Sequence, residues 1–117
     1  MLPMYDLDGR PIPPILLKLK PLTPKDRIVL MVLIDQLLTN GVSSISYSQR
    51  ELGELAGIDR DPCHEALKHL RNYGFIEWER PCPANRYYMN RLPGWVKEKF
   101  PDEWKPLYDL INEIRDF

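Results

Sequence analysis

A mainly α-helical chain with a small antiparallel β-hairpin, an α+β fold, is what this sequence predicts, and three observations carry the expectation. Three stretches each open on a capping residue and close at or beside a glycine: Thr23 to Gly41, Ser48 to Gly57, and Asp59 to Gly74. "FIEWE" and "RYYMN" alternate apolar and polar residues on either side of the proline-braced "PCPAN", the pattern of two paired strands. The C-terminal stretch "DEWKPLYDLINEIRDF" sets Leu107, Leu110, Ile111 and Ile114 on one helical stripe.

The elements follow in order. Residues 1–22 hold five of the chain's twelve prolines, which fix φ and remove amide donors, so this part reads as an extended arm. Inside it "ILLKLK" fits either a short strand or an apolar strap lying on the domain or on a partner. Thr23 caps the first helix, Pro24 takes its first position, and Asp26 sits near the positive end of the dipole. Apolar residues at 30, 33, 34, 37 and 38 form its stripe, and Ile28, Val29, Met31 and Val32 widen it enough to predict burial on two sides. "SSISY" is a short strand candidate. Ser48 and Glu51 form a capping box for the second helix, whose Leu52, Leu55 and Ala56 face inward. The third helix starts at Asp59 or Asp61, carries Pro62 in its first turn, and ends before Gly74. "LPGW" interrupts the pattern after the hairpin.

Length and composition bound the function. At 117 residues the chain is one domain's worth, with 44% hydrophobic and 28% charged residues. No apolar run approaches the ~20 residues of a membrane span, so no membrane contact is expected. Asp6 and Asp8 stand where a signal peptide would be basic and then apolar, and a cytoplasmic location is the default. Cys63 and Cys82 are too few for a disulfide framework, and with His64 and His69 they lack zinc-ligand spacing, so neither metal nor cofactor is expected. There is no glycine-rich phosphate loop, nucleophile elbow or carboxylate pair, so an enzyme is not expected. Cys63 and His64 look like a dyad in print, but neighbours on a helix point about 100° apart.

The net charge is −1, whereas nucleic-acid binders usually carry a basic surplus. Residues 1–47 hold five basic and four acidic side chains, residues 48–91 seven and seven, and residues 92–117 four and six. Any positive patch must therefore be local.

The order helix, strand, helix, helix, hairpin resembles the winged helix-turn-helix over Leu22 to about Tyr88. The residues that carry the resemblance are "LTPKDRIVLMVLI", "SQRELGELAGI" and "ALKHLRNYGFIE". Domains of this kind occur in bacterial and phage regulators and in plasmid or phage replication proteins. The resemblance divides the chain into an arm (1–22), a winged domain (23–91) and a helical tail (92–117) suited to dimerisation or packing. It implies a sequence-specific double-stranded DNA binder, acting in transcription regulation or in replication or maintenance, with helix 59–73 in the major groove. A homodimer built on the first and last helices is also implied, which would read an inverted repeat. The departure from the family lies in "DRDPCHE", where serine, threonine and basic residues are usual and Asp61 and Glu65 stand instead.

On a wheel of the third helix, Cys63, Ala66, Leu67 and Leu70 cluster toward the core. Arg60, His64, Lys68 and Arg71 form a basic edge spanning about 80°. Asp61 and Glu65 lie beyond it, and either capping or an (i, i+3) pairing of Glu65 with Lys68 accounts for them. The expected DNA contacts are Arg60 and His64 near bases and Lys68 near phosphate, with Arg71 on the same edge. Gln49 and Arg50 at the start of the second helix, and Arg80, Asn85 and Arg86 at the wing, are expected on the backbone or minor groove. Tyr87 and Tyr88 alternate across a strand, so at most one faces outward, which tells against single-strand stacking. Trp78 is expected between hairpin and third helix, and Trp95, Phe100 and Trp104 are expected to anchor the tail. The alternative is a winged-helix protein-interaction module that does not bind DNA, which the balanced charge, Asp61 and Glu65, and the proline-rich arm all suit. A positive strip from Arg50 through Arg60 and Lys68 to Arg86 favours DNA. An exposed apolar patch from Ile12 to Leu19 favours a protein partner.

Overall fold

The computed structural model describes residues 6–7, 9–79 and 85–117. Two-residue strands β1 (Asp6–Leu7) and β2 (Arg10–Pro11) precede a 3-10 turn (Pro14–Leu17) and helix α1 (Pro24–Asn40). Strand β3 (Ser44–Tyr47), helices α2 (Gln49–Ala56) and α3 (Arg60–Asn72), and strands β4 (Ile76–Glu79) and β5 (Asn85–Met89) follow. Helices α4 (Gly94–Lys99) and α5 (Trp104–Arg115) close the chain, a mixed α+β architecture. No helix among the described residues is long and apolar enough to cross a membrane.

Helix α1 is the axle. Thr23 Oγ1 accepts from the Asp26 amide at 3.2 Å while the Asp26 carboxylate accepts from the Thr23 amide at 3.0 Å, a reciprocal cap. Gly41 ends the helix at φ 62°, in the left-handed region. Every residue from Val29 to Ile34 is buried, so α1 is covered all round and not on one face. It packs against α2, α3, α5, β1, β3 and the 3-10 turn.

The sheet is larger than the expected hairpin. "SSISY" becomes β3 and pairs antiparallel with β5, which also pairs with β4, so the order is β3-β5-β4. Ile45 and Trp78 stand opposite Tyr87 on either side of the central strand. At the passage from α3 into β4, Gly74 takes φ 88° and the Phe75 amide donates to Leu70 O at 2.9 Å. That turn drops Phe75, fully buried, under the end of α3.

The N-terminal segment is not an extended arm. β1 and β2 form a tight hairpin, and the 3-10 turn buries Ile15 and Leu16, with Leu7, Leu19 and Leu22 also in the core. The alternation in "ILLKLK" suggests a strand, but a strand would send Ile15 and Leu16 to opposite faces. One helical turn sends both inward. Of the large apolar side chains in the stretch named as a candidate exposed patch, Leu17 is the exposed one, at 60%, with Pro14 and Lys18 of the same stretch also exposed.

The tail folds back in the same way. Leu107, Leu110, Ile111 and Ile114 are the buried residues of α5, the stripe that the sequence marks. They enter the same core as α1. Arg115 Nη1 donates to Met89 O at 2.8 Å, Lys18 pairs with Glu103 at 2.8 Å, and Arg10 pairs with Glu113, fastening both chain ends together. The apolar faces of the first and last helices, on which a homodimer was expected, are therefore spent inside one protomer.

Candidate nucleic-acid interface

The α2–α3 turn sets the geometry of this surface. Gly53 on α2 lies so close to the turn that an added Cβ would sit 2.8 Å from the Ile58 carbonyl oxygen. The Ile58 amide donates to Gly53 O at 2.9 Å, and Gly57 takes φ 72°. This contact brings the N-terminus of α3 alongside α2. Ser48 and Glu51 cap α2 reciprocally, as the sequence predicts, whereas Asp59 at the start of α3 makes no side-chain cap.

Ser48, Gln49 and Arg50 from α2's start, Arg60 from α3's start and Asn85 from β5's start line one open cleft of about 420 Å³. Among the described residues, none of its lining side chains is acidic. Four residues expected at a DNA surface, separated by up to 36 positions, thus meet in space. The Gln49 side-chain amide nitrogen lies 2.7 Å from His64 Nδ1, tying a fifth to the rim. With the amide donating, Nδ1 is the acceptor and the ring proton sits on Nε2. Asn85 Nδ2 donates to the Tyr87 hydroxyl at 3.1 Å, which fixes Asn85 on the inner side of the sheet.

The other expected residues divide. Lys68 is exposed on α3 and pairs with Glu65 at 3.6 Å, the (i, i+3) contact that the sequence allows. Arg60 pairs with its neighbour Asp61 at 3.3 Å. Arg71 stacks over Trp78 with its guanidinium carbon 3.8 Å from the ring centroid, joining α3 to β4 and bracing the sheet. Trp78 also meets Tyr87 at 6.0 Å, so it sits between α3 and the hairpin as expected.

Arg86 does not join the cleft. Side chains alternate along β5, so Arg86 and Tyr88 share the outer face while Tyr87 and Met89 are buried on the inner one. There Arg86 borders a separate depression with Ser43, Ser44, Glu79, Tyr88 and Arg115. The expected positive strip from Arg50 to Arg86 is therefore not continuous: Arg50 and Arg60 share the cleft, and Arg86 stands apart beside Glu79 and Arg115. Arg80, like Cys82, lies outside the described residues.

Ser48 lines the cleft, though the sequence marks it only as a helix cap; its position beside Gln49 is the signal. Arg115 is brought next to Arg86 by α5 packing, which no local pattern announces. Cys63 is fully buried on α3's core side, and burial pushes its thiol up to about 11. His64 faces Gln49, so Cys63 and His64 form no dyad. His69, on the side of α3 facing α1, has Nδ1 3.0 Å from the buried Asp26 carboxylate. No group of three or more metal-ligating side chains occurs among the described residues. Trp95 donates through Nε1 to Tyr73 O at 2.9 Å and stacks edge-on against Phe75, anchoring α4. Comparison with protein-family models, with curated proteins and with solved structures gives no match to this chain.

Proposed function

We propose that this protein is a winged helix-turn-helix reader of double-stranded DNA. The observation that carries the reading is the cleft at the joint of α2, α3 and β5, where Gln49, Arg50, Arg60 and Asn85 converge with no lining carboxylate among the described residues. A groove of guanidinium and amide donors matches the acceptor-only surface of a phosphodiester backbone. The element order, with α3 entering a hairpin that pairs back to the strand before α2, supports the winged arrangement. In this reading α3 enters the major groove with Arg60 and His64 toward base edges. Lys68 reaches a phosphate, and Gln49, Arg50 and Asn85 hold the backbone beside it.

Arg71 and Arg86 change roles. Arg71 is a brace between α3 and Trp78, and Arg86 belongs to the outer face of the sheet. The dimer drops out of the reading because its apolar faces are covered, so a single protomer presents a single α3. The interaction-module alternative loses one of its three supports, since the N-terminal strap packs on its own core, and keeps the balanced charge and the acids Asp61 and Glu65.

The test is an anisotropy titration of duplex DNA carrying a selected site. Arg60→Ala weakens specific binding by about 1–3 kcal/mol and relaxes discrimination at one position. Arg86→Ala leaves it unchanged. Equal losses in both variants, or none in either, would remove the cleft as the reading surface.

A further inference from the structure

The two acids of α3 stand beside the two cations that the DNA reading needs free. Arg60 presents Nε and Nη2 to the same oxygen, Oδ1 of Asp61, each at 3.3 Å. One turn on, Lys68 is held by Glu65 at 3.6 Å. Arg60 reaches into the polar cleft, whereas Asp61 borders the neighbouring groove with Asp26, Pro62, Glu65 and His69. Arg60 therefore sits between two environments, one lined by amide and guanidinium groups and one in which the carboxylates of Asp26, Asp61 and Glu65 stand with Lys25 and His69. The pair is also wet: the side chains of Arg60 and Asp61 are 67% and 85% exposed. An ion pair so exposed contributes little to folding, so it is cheap to open and is not explained by stability.

We infer that Asp61 is a built-in competitor for DNA phosphate, occupying Arg60 in the free protein and released when a phosphodiester takes its place in a non-specific complex, from which Arg60 turns to a base edge only at a specific site. This rests on the DNA-binding reading and adds a threshold to it. A carboxylate and a phosphodiester both offer anionic oxygens to a guanidinium, and phosphate accepts the planar fork in bidentate fashion. The exchange leaves Asp61 uncovered next to a polyanion, and it then takes up a cation from solution. That uptake offsets one of the counterions that the DNA releases, so the salt dependence of binding is shallower than the phosphate contacts alone dictate. The net charge of −1 fits the same logic: non-specific affinity is held down, and only a site that also satisfies α3's base contacts overcomes the exchange.

The experiment is a salt series of anisotropy titrations on a labelled random-sequence duplex. It compares the unmodified protein, Asp61→Asn, Arg60→Ala and the double variant, with circular dichroism as the check of folding. Asp61→Asn is expected to bind about 3- to 10-fold more tightly at low salt. Its log–log salt slope steepens by about 0.9, the contribution of one further counterion. Both gains vanish in the Arg60→Ala background if Asp61 acts through Arg60. Should Asp61→Asn leave affinity and slope unchanged while Arg60→Ala weakens binding, the competitor role is overturned and the DNA reading survives. A gain of equal size with and without Arg60 overturns it too, since Asp61 then acts by plain repulsion. If neither the unmodified protein nor Asp61→Asn binds at low salt, the DNA reading itself falls, and this inference with it.

Discussion

At the scale of single residues, position on a strand or helix decides what each charged side chain does. Asn85 and Arg86 are adjacent in sequence yet stand on opposite faces of β5, so one joins the cleft and the other borders the depression that Glu79 and Arg115 also line. The period of two that separates Tyr87 from Tyr88 predicts this split for Asn85 and Arg86 as well, and both cannot contact one surface. Arg71 belongs to the basic edge of α3 by helical period, but only the folded structure shows Trp78 beneath it. The wheel places Cys63 in the core, and burial raises its thiol from 9.0 to about 11. The protonated thiol is the form that the fold favours. Its stabilising contribution is therefore complete below pH 9 and is lost as the pH rises through 11. In a Cys82→Ser background at pH 8, Cys63 is expected to react with a thiol reagent at least about 100-fold more slowly than in the unfolded chain, because burial both lowers the thiolate fraction and shields the sulfur from the reagent. Equal rates in the native and urea-unfolded protein would show the thiol to be exposed.

At the scale of elements, caps and stops were legible and short or doubly buried pieces were not. Thr23 with Asp26 and Ser48 with Glu51 mark their helix starts, and both boxes form as the spacing dictates. α5 was readable because a twelve-residue helix gives its stripe room to repeat. α4 was missed: Pro93-Gly94 reads as a breaker, and six residues with only Val96 buried show no period. The 3-10 turn was missed because prolines flank it and its apolar run suits two periods equally. "SSISY" read as a strand, but its partner β5 lies about 40 residues away, a pairing no local pattern encodes. Gly53 makes the α2–α3 turn possible, and two effects compete when it is replaced. Alanine gains about 1 kcal/mol of helix propensity over glycine. The 2.8 Å approach to the Ile58 carbonyl forces backbone to shift, at about 1–3 kcal/mol. The contact wins, and Gly53→Ala is expected to lower unfolding free energy by about 1–2 kcal/mol in urea titration. A stabilised variant would mean that the turn yields freely and does not lock α3 against α2.

At the scale of the whole molecule, one core gathers everything. The 13.2 Å radius of gyration agrees with the roughly 13 Å expected of a compact chain of this length, so the strap and tail belong to the same body as the helices. Their inclusion covers the apolar stripes of α1 and α5 within one protomer, and in the proposed reading each protomer presents one α3 with its cleft. Under the proposed DNA reading, a net charge of −1 requires that affinity come from a few placed contacts and not from a general positive field. The measurement that tests this most directly is selection from random duplex DNA, followed by titration of the winning site at two salt concentrations. A short non-palindromic consensus, bound with an affinity that falls as salt rises, is the predicted result. No enrichment even at low salt would contradict the DNA reading, and an inverted repeat spaced by one helical turn would contradict the single-protomer account of it.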